Sequence, residues 1–183
     1  MALKATIFKA DLQISDMDRH YYAGHALTIA RHPSETDERM MIRLLAFALN
    51  AHEALIFGKG LSTDDEPDLW QKDLTGAIDL WIEVGLPDEK RILKACGRSS
   101  RVLVYSYSST SNIWWNQIAN KVDRAKNLSV LNVPAEASLA LAKLAQRTMQ
   151  LQCTIQEGQI WMSGGEDTVQ LELNTLKPLA DAS

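Results

Sequence analysis

Cysteine is scarce in this chain. Cys96 and Cys153 are its only two, and they fit neither a CxxC nor any other zinc-ligand spacing. The amino terminus, Met1-Ala2-Leu3-Lys4-Ala5-Thr6, alternates like a strand and lacks the apolar core of a signal peptide. Both thiols are therefore expected reduced and buried in a cytoplasmic protein. Long apolar runs are also missing; none approaches the roughly 20 residues that span a bilayer, so no membrane association is expected. His20, His25, His32 and His52 show no HxH or HExxH spacing, which argues against a zinc enzyme. Ser99, Ser100 and the serines between Ser106 and Ser111 lack a GxSxG elbow, which disfavours a serine hydrolase. Gly164-Gly165 precedes no helix and reads as a hairpin turn, not a phosphate loop. No repeat, linker or low-complexity stretch appears. A net charge of -4 gives no broad attraction to nucleic acid, which would need a local cationic surface.

What is present is ordinary globular material, 46% hydrophobic and 23% charged over 183 residues. That length predicts a single domain, 1–183, with a core of its own. Phe8, Ala10, Leu12 and Ile14 alternate with Lys9, Asp11, Gln13 and Ser15, the period of a half-buried strand. The segment from Tyr21 to Ile29 reads as its returning partner. Ser34 is placed to cap a helix that carries Met41, Leu44, Leu45, Ala48, Ala51 and Leu55 at helical spacing. The centre continues with a short Leu55-Ile56-Phe57 strand, a hairpin, a helix from Pro87 to Cys96 and a two-sided strand from Val102 to Tyr107. Then come a helix with Ile113, Trp114, Ile118 and Val122, a strand at Leu128–Val133 and a helix from Pro134 to about Met149. Leu151 to Ile155, Gln159 to Met162 and Thr168 to Leu173 close the chain as strands. The expected fold is α/β: a mixed central sheet flanked by helices, with accessory β-hairpins from the N- and C-terminal segments.

The hairpin carries the chemistry. Asp68, Trp70 and Lys72 share a face of one strand, and Asp79, Trp81 and Glu83 share a face of its partner. A turn around Leu74-Thr75-Gly76 pairs residues whose numbers sum to about 149 to 151, which sets Asp68 opposite Trp81 to Glu83; at one end of that range Asp68 and Glu83 lie side by side, roughly 5 Å apart at the β-carbons. Adjacent carboxylates repel unless a cation or proton sits between them. Oxygen ligands of this kind suit Mg²⁺ or Mn²⁺, which lower the pKa of a bound water and stabilise charge on a phosphate. From Asp88 to Arg101, the cations Lys90, Arg91, Lys94, Arg98 and Arg101 outnumber the acids by three, a surface suited to phosphates. Trp70 and Trp81 are read as packing residues. Glu53 is a lesser candidate, a helix carboxylate facing the site.

Pro67-Asp68 followed by Glu83-Val84-Gly85 resembles the PD-(D/E)xK nuclease pattern, whose acids bind divalent metal and whose lysine is catalytic. More narrowly, the chain resembles the YaeQ family through Lys4-Ala5-Thr6-Ile7, the hairpin from Glu66 to Asp79, Trp81-Ile82-Glu83-Val84-Gly85-Leu86-Pro87 and Lys94-Ala95-Cys96-Gly97. That resemblance covers essentially the full length and implies a variant restriction-endonuclease-like fold. By position, Asp68 and Glu83 take the acidic places. Gly85 stands where the pattern requires lysine, which makes Lys94 the candidate for a migrated lysine, with Lys90 and Lys72 behind it. The expected function is Mg-dependent phosphodiester cleavage through Asp68, Glu83 and Lys94. The alternative is a non-catalytic module that keeps the fold and binds nucleic acid or a protein through the Lys90–Arg101 segment.

Overall fold

The computed structural model describes residues 4–63 and 65–180. They divide into two compact units, each assembled from separate stretches of chain. One joins the described residues through Asn50 to Glu136–Glu172; the other joins Ala51–Ala135 to the described residues from Leu173 onward.

The first unit is built on β1 (Thr6–Asp16) and β2 (Tyr21–Arg31), which zip antiparallel over their full length. The alternation expected from the sequence is what buries Phe8, Ala10, Leu12 and Ile14. The Asp16 carboxylate holds the turn by accepting from the Arg19 backbone N–H at 3.0 Å and from Arg19 Nε at 2.8 Å. β8 (Thr148–Gln156), β9 (Gln159–Gly164) and β10 (Asp167–Glu172) complete a five-stranded sheet in the order β10-β9-β8-β1-β2. The terminal segments thus form a mixed sheet of their own instead of accessory hairpins, because β8 runs parallel to β1 from Lys9/Thr148 to Asp16/Ile155. The helix expected to reach Met149 is α4 (Ala135–Ala142), which stops earlier for the same reason. The Lys9 N–H takes the Arg147 carbonyl at 2.8 Å, and from Thr148 the backbone belongs to the sheet.

Helix α1 (Asp37–Asn50) also departs from expectation. Thr36 caps it in place of Ser34, its Oγ1 accepting from the Arg39 N–H at 3.1 Å. Its spacing predicts one buried face, yet every residue from Met40 to Ala48 is buried. Arg43 is among them because Glu35, buried just before the helix, takes Arg43 Nε at 2.9 Å and Arg39 Nη1 at 2.6 Å.

The second unit contains a six-stranded sheet. Its strands are β3 (Leu55–Phe57), β4 (Leu69–Lys72), β5 (Ile78–Val84), β6 (Ser99–Tyr107), β7 (Leu128–Val133) and β11 (Asn174–Lys177). Their order is β11-β7-β6-β5-β4-β3, with β5, β6 and β7 parallel and the rest antiparallel. β6 is central, as its continuous apolar run requires. Helices α2 (Glu89–Arg98) and α3 (Ser111–Val122) are the crossovers between the parallel strands. Their Ile92, Ala95, Trp114, Ile118 and Val122 pack with Trp81, Val102 and Val104 in one apolar cluster. Ile113, expected on the buried face, is 62% exposed. β11 was not foreseen; it adds to the outer edge of β7. Among the described residues the total is two mixed sheets and four α-helices, an α/β architecture. No described helix is long and apolar enough to cross a membrane.

Candidate functional site

The hairpin forms in the expected register. Leu69 faces Ile82 and Trp70 faces Trp81, and the chain turns through Asp73–Ala77, with Gly76 at φ +88°. The Asp73 carboxylate organises that turn by accepting from Thr75 N at 2.8 Å and Ala77 N at 3.0 Å. The ladder ends at Leu69/Ile82, and Asp68, one residue before it, lies close enough to Glu83 for the two carboxylates to repel. Both are buried, at 2% and 3% exposure.

Asp68 is tied to the backbone around it. Its N–H donates to Ile82 O at 3.1 Å, and its Oδ2 accepts from the Val84 N–H at 2.8 Å. Gly60 closes over its other oxygen: a Cβ there would lie 2.5 Å from Asp68 Oδ1, and φ at Gly60 is +48°. This glycine was not singled out as part of the site. Its signal in the sequence was only the Gly58-Lys59-Gly60 punctuation before the hairpin.

Glu83 accepts two donors at one oxygen. Trp81 Nε1 and Arg91 Nε each lie 2.8 Å from Glu83 Oε1. Arg91 is delivered by the start of α2. Asp88 is the N-cap, its side chain accepting from the Arg91 N–H at 2.8 Å, so Pro87 lies outside the helix and Arg91 is its third residue. A helical side chain reaches back over the preceding turn, which sends the guanidinium toward Glu83. A second arm of Arg91 donates to Glu66 O at 3.0 Å. Burial and the neighbouring Asp68 carboxylate push the Glu83 pKa up from 4.5 to about 7, against the pull of Arg91 and the Trp81 N–H.

The lysines are elsewhere. Lys94 Nζ lies 3.8 Å from Asp65 Oδ1, and both side chains are mostly exposed. Lys72 sits 3.8 Å over the ring of Trp70, and Lys90 is exposed. Trp70 and Trp81 meet edge to face at 5.9 Å, and Arg98 covers the Trp81 ring, so the packing reading of both tryptophans holds. Glu53 is exposed in the turn beyond α1, which ends at Asn50, and so is not a helix carboxylate. At Gly85 the backbone adopts φ +113° and its N–H donates to Tyr105 O at 2.9 Å. A lysine there would be strained whatever the space around it.

As a seat for Mg²⁺ or Mn²⁺ this donor set fits poorly. A hard cation needs several convergent oxygens with room for water. Here Glu83 Oε1 already accepts two donors, and a guanidinium supplies the positive charge. No group of three His, Cys, Asp or Glu side chains able to hold a metal occurs among the described residues.

The sequence model of the YaeQ protein family matches residues 1–173. The uncharacterized protein YaeQ of Salmonella typhi is 49% identical over 174 residues, spanning 94% of this chain and 96% of that protein. Its counterpart in Escherichia coli K12 is 48% identical with the same coverage. The crystal structure of YaeQ from Xanthomonas axonopodis pv. citri matches with a TM-score of 0.92 at 50% identity, covering 97% of this chain and 99% of that one. YaeQ from Pseudomonas syringae matches with a TM-score of 0.92 at 37% identity, covering 95% and 97%.

Proposed function

The chain belongs to the YaeQ family, and from that premise we propose that it is a nucleic-acid-binding module on a restriction-endonuclease-like scaffold. In this reading the acidic pair has become a structural charge centre that seats α2. The observation that carries it is the Arg91–Glu83 hydrogen bond at 2.8 Å, which supplies from the protein the positive charge a metal would bring. The outer surface of α2 and the start of β6 leave Lys90, Lys94, Arg98 and Arg101 exposed, a short cationic strip for phosphates.

Fluorescence anisotropy with labelled single- and double-stranded oligonucleotides over a salt series tests this reading. Wild type is expected to bind with a log affinity that falls linearly with log salt. Lys90→Glu, Lys94→Glu and Arg101→Glu together are expected to abolish binding and leave the fold intact. Binding that is absent in wild type, or unchanged in the triple variant, rejects the proposal.

One observation favours the metal-dependent hydrolase as a second reading. A Glu83 pKa near 7 beside Asp68 marks an acidic pair that a divalent cation would relieve. Cleavage of the same oligonucleotides with Mg²⁺ or Mn²⁺, lost in Asp68→Asn, would establish it; a lysine role would then fall to Lys94.

A further inference from the structure

β2 is the outer strand of its sheet, and the hydrogen-bond pattern fixes which of its backbone groups face outward. On β1 the odd residues serve β8: the Lys9 N–H donates to Arg147 O and the Met17 N–H to Ile155 O, both at 2.8 Å. A strand residue sends its N–H and C=O to the same side, so the even residues of β1 serve β2. Their partners are odd residues of β2, Leu27 opposite Ala10 and His25 opposite Leu12. The even residues Tyr22, Gly24, Ala26, Thr28 and Ala30 therefore aim their backbone groups away from the sheet. Ala30 gives independent support, because its carbonyl accepts from Arg43 Nη2 at 3.1 Å. The outward groups of the other four have no partner among the described residues.

This edge is long, regular and uncharged. All eleven residues of β2 pair with β1 without a register shift. From Tyr21 to Ala30 there is no Lys, Arg, Asp, Glu or Pro. The outer strands β10, β3 and β11 have six, three and four residues, and β10 carries Asp167 and Glu172. Edges are normally blunted by shortness, charge, proline or bulges, and between Tyr21 and Ala30 β2 uses none of these. It is also open to solvent. Tyr22 is 61% exposed, and Leu27 is partly exposed where its β1 neighbours Ala10 and Leu12 are buried.

We infer that β2 pairs with β2 of a second copy of this chain, antiparallel about a two-fold axis through His25. The outward set dictates the register. Tyr22 lies opposite Thr28 of the second copy and Gly24 opposite its Ala26, in both directions, each pair exchanging two hydrogen bonds. His25 takes the close position on the axis that forms no such bond. A two-fold interface needs a strand complementary to itself. This register satisfies every outward group from Tyr22 to Thr28, sets glycine beside alanine and places no charged residue in the paired stretch from Tyr21 to Ile29. Gly24 has a second role: a Cβ there would meet the Gln13 side-chain amide at 2.6 Å, so glycine lets that amide lie across the outer strand beside the seam.

Sedimentation velocity of the full chain over a concentration series tests the inference. Ala26→Pro removes an outward N–H and none that β1 uses. Wild type is expected as a dimer and Ala26→Pro as a monomer at equal loading, with the same far-ultraviolet circular dichroism. A cross-link tests the register independently. With oxidised glutathione as the electron acceptor, His25→Cys is expected to join two chains, whereas Thr28→Cys, set against Tyr22, is not. A wild type that stays monomeric throughout the series overturns the inference. So does a dimer that survives Ala26→Pro while His25→Cys fails to cross-link.

Discussion

Arg91 Nε donates to Glu83 Oε1 at 2.8 Å, and the same oxygen accepts from Trp81 Nε1 at 2.8 Å. One helical arginine thus meets one strand carboxylate beside a second carboxylate, Asp68. Glu83 is 4% exposed in its side chain and Arg91 23%, so the pair is screened little by solvent.

Removing Arg91 leaves Glu83 buried beside Asp68 without its cation. Arg91→Ala is expected to lower stability by about 3 kcal/mol at pH 8, since breaking a buried ion pair strands a charge. The loss should shrink at pH 5, where Glu83 carries a proton. Urea unfolding at the two pH values measures both.

Glu83 also makes a signed prediction for the wild type. Its folded pKa, about 7, lies above the ordinary 4.5. Between those values the folded state holds a proton that the unfolded chain has released. Its contribution is therefore present at low pH, is lost as pH rises through that window and is flat above about 7. The span corresponds to about 3 kcal/mol. Subtracting the pH profile of Glu83→Gln from that of wild type isolates the effect; parallel profiles would show that Glu83 does not titrate in this window.

Trp81→Phe keeps the ring packing against Trp70 and removes the indole donor. Glu83 Oε1 keeps Arg91, so the cost is that of one hydrogen bond to a charged group, about 1.5–3 kcal/mol where Glu83 is ionised. The Glu83 pKa should rise further, extending the falling limb of the stability profile to higher pH.

Gly60→Ala tests the closure over Asp68. A methyl group there meets Asp68 Oδ1 at 2.5 Å on a backbone with φ +48°. Strain of this kind costs about 1–3 kcal/mol, read as a lower urea midpoint with unchanged slope. Gly76→Ala is the contrast: its φ of +88° carries backbone strain, but nothing lies within 4 Å of the added carbon.

Much of the hairpin could be read in advance, because period-two alternation and a short turn set its register to within a residue or two, which placed Asp68 opposite Trp81 to Glu83. The role of Arg91 was not legible, because it depends on α2 starting at Glu89 behind an Asp88 N-cap, two residues later than the expected Pro87, which puts Arg91 in the first turn beside Glu83. Gly85 could be read as a missing lysine, but not as a backbone at φ +113° that disfavours one. The early end of α4 and the parallel pairing of β8 with β1 depend on contacts between distant segments, which override the helical character of Leu139 through Ala145. The role of Glu35 was not legible either, because its partners, Arg39 and Arg43, meet it only once α1 is packed.

The most direct test of the acidic centre is calorimetric titration of Mn²⁺ into wild type and Asp68→Asn. Neither protein is expected to show saturable binding, because Arg91 and Trp81 occupy Glu83 Oε1 and the Val84 N–H occupies Asp68 Oδ2, leaving too few convergent oxygens for a hard cation. Saturable one-site binding in wild type that disappears in Asp68→Asn would contradict it and restore the carboxylates as a metal centre.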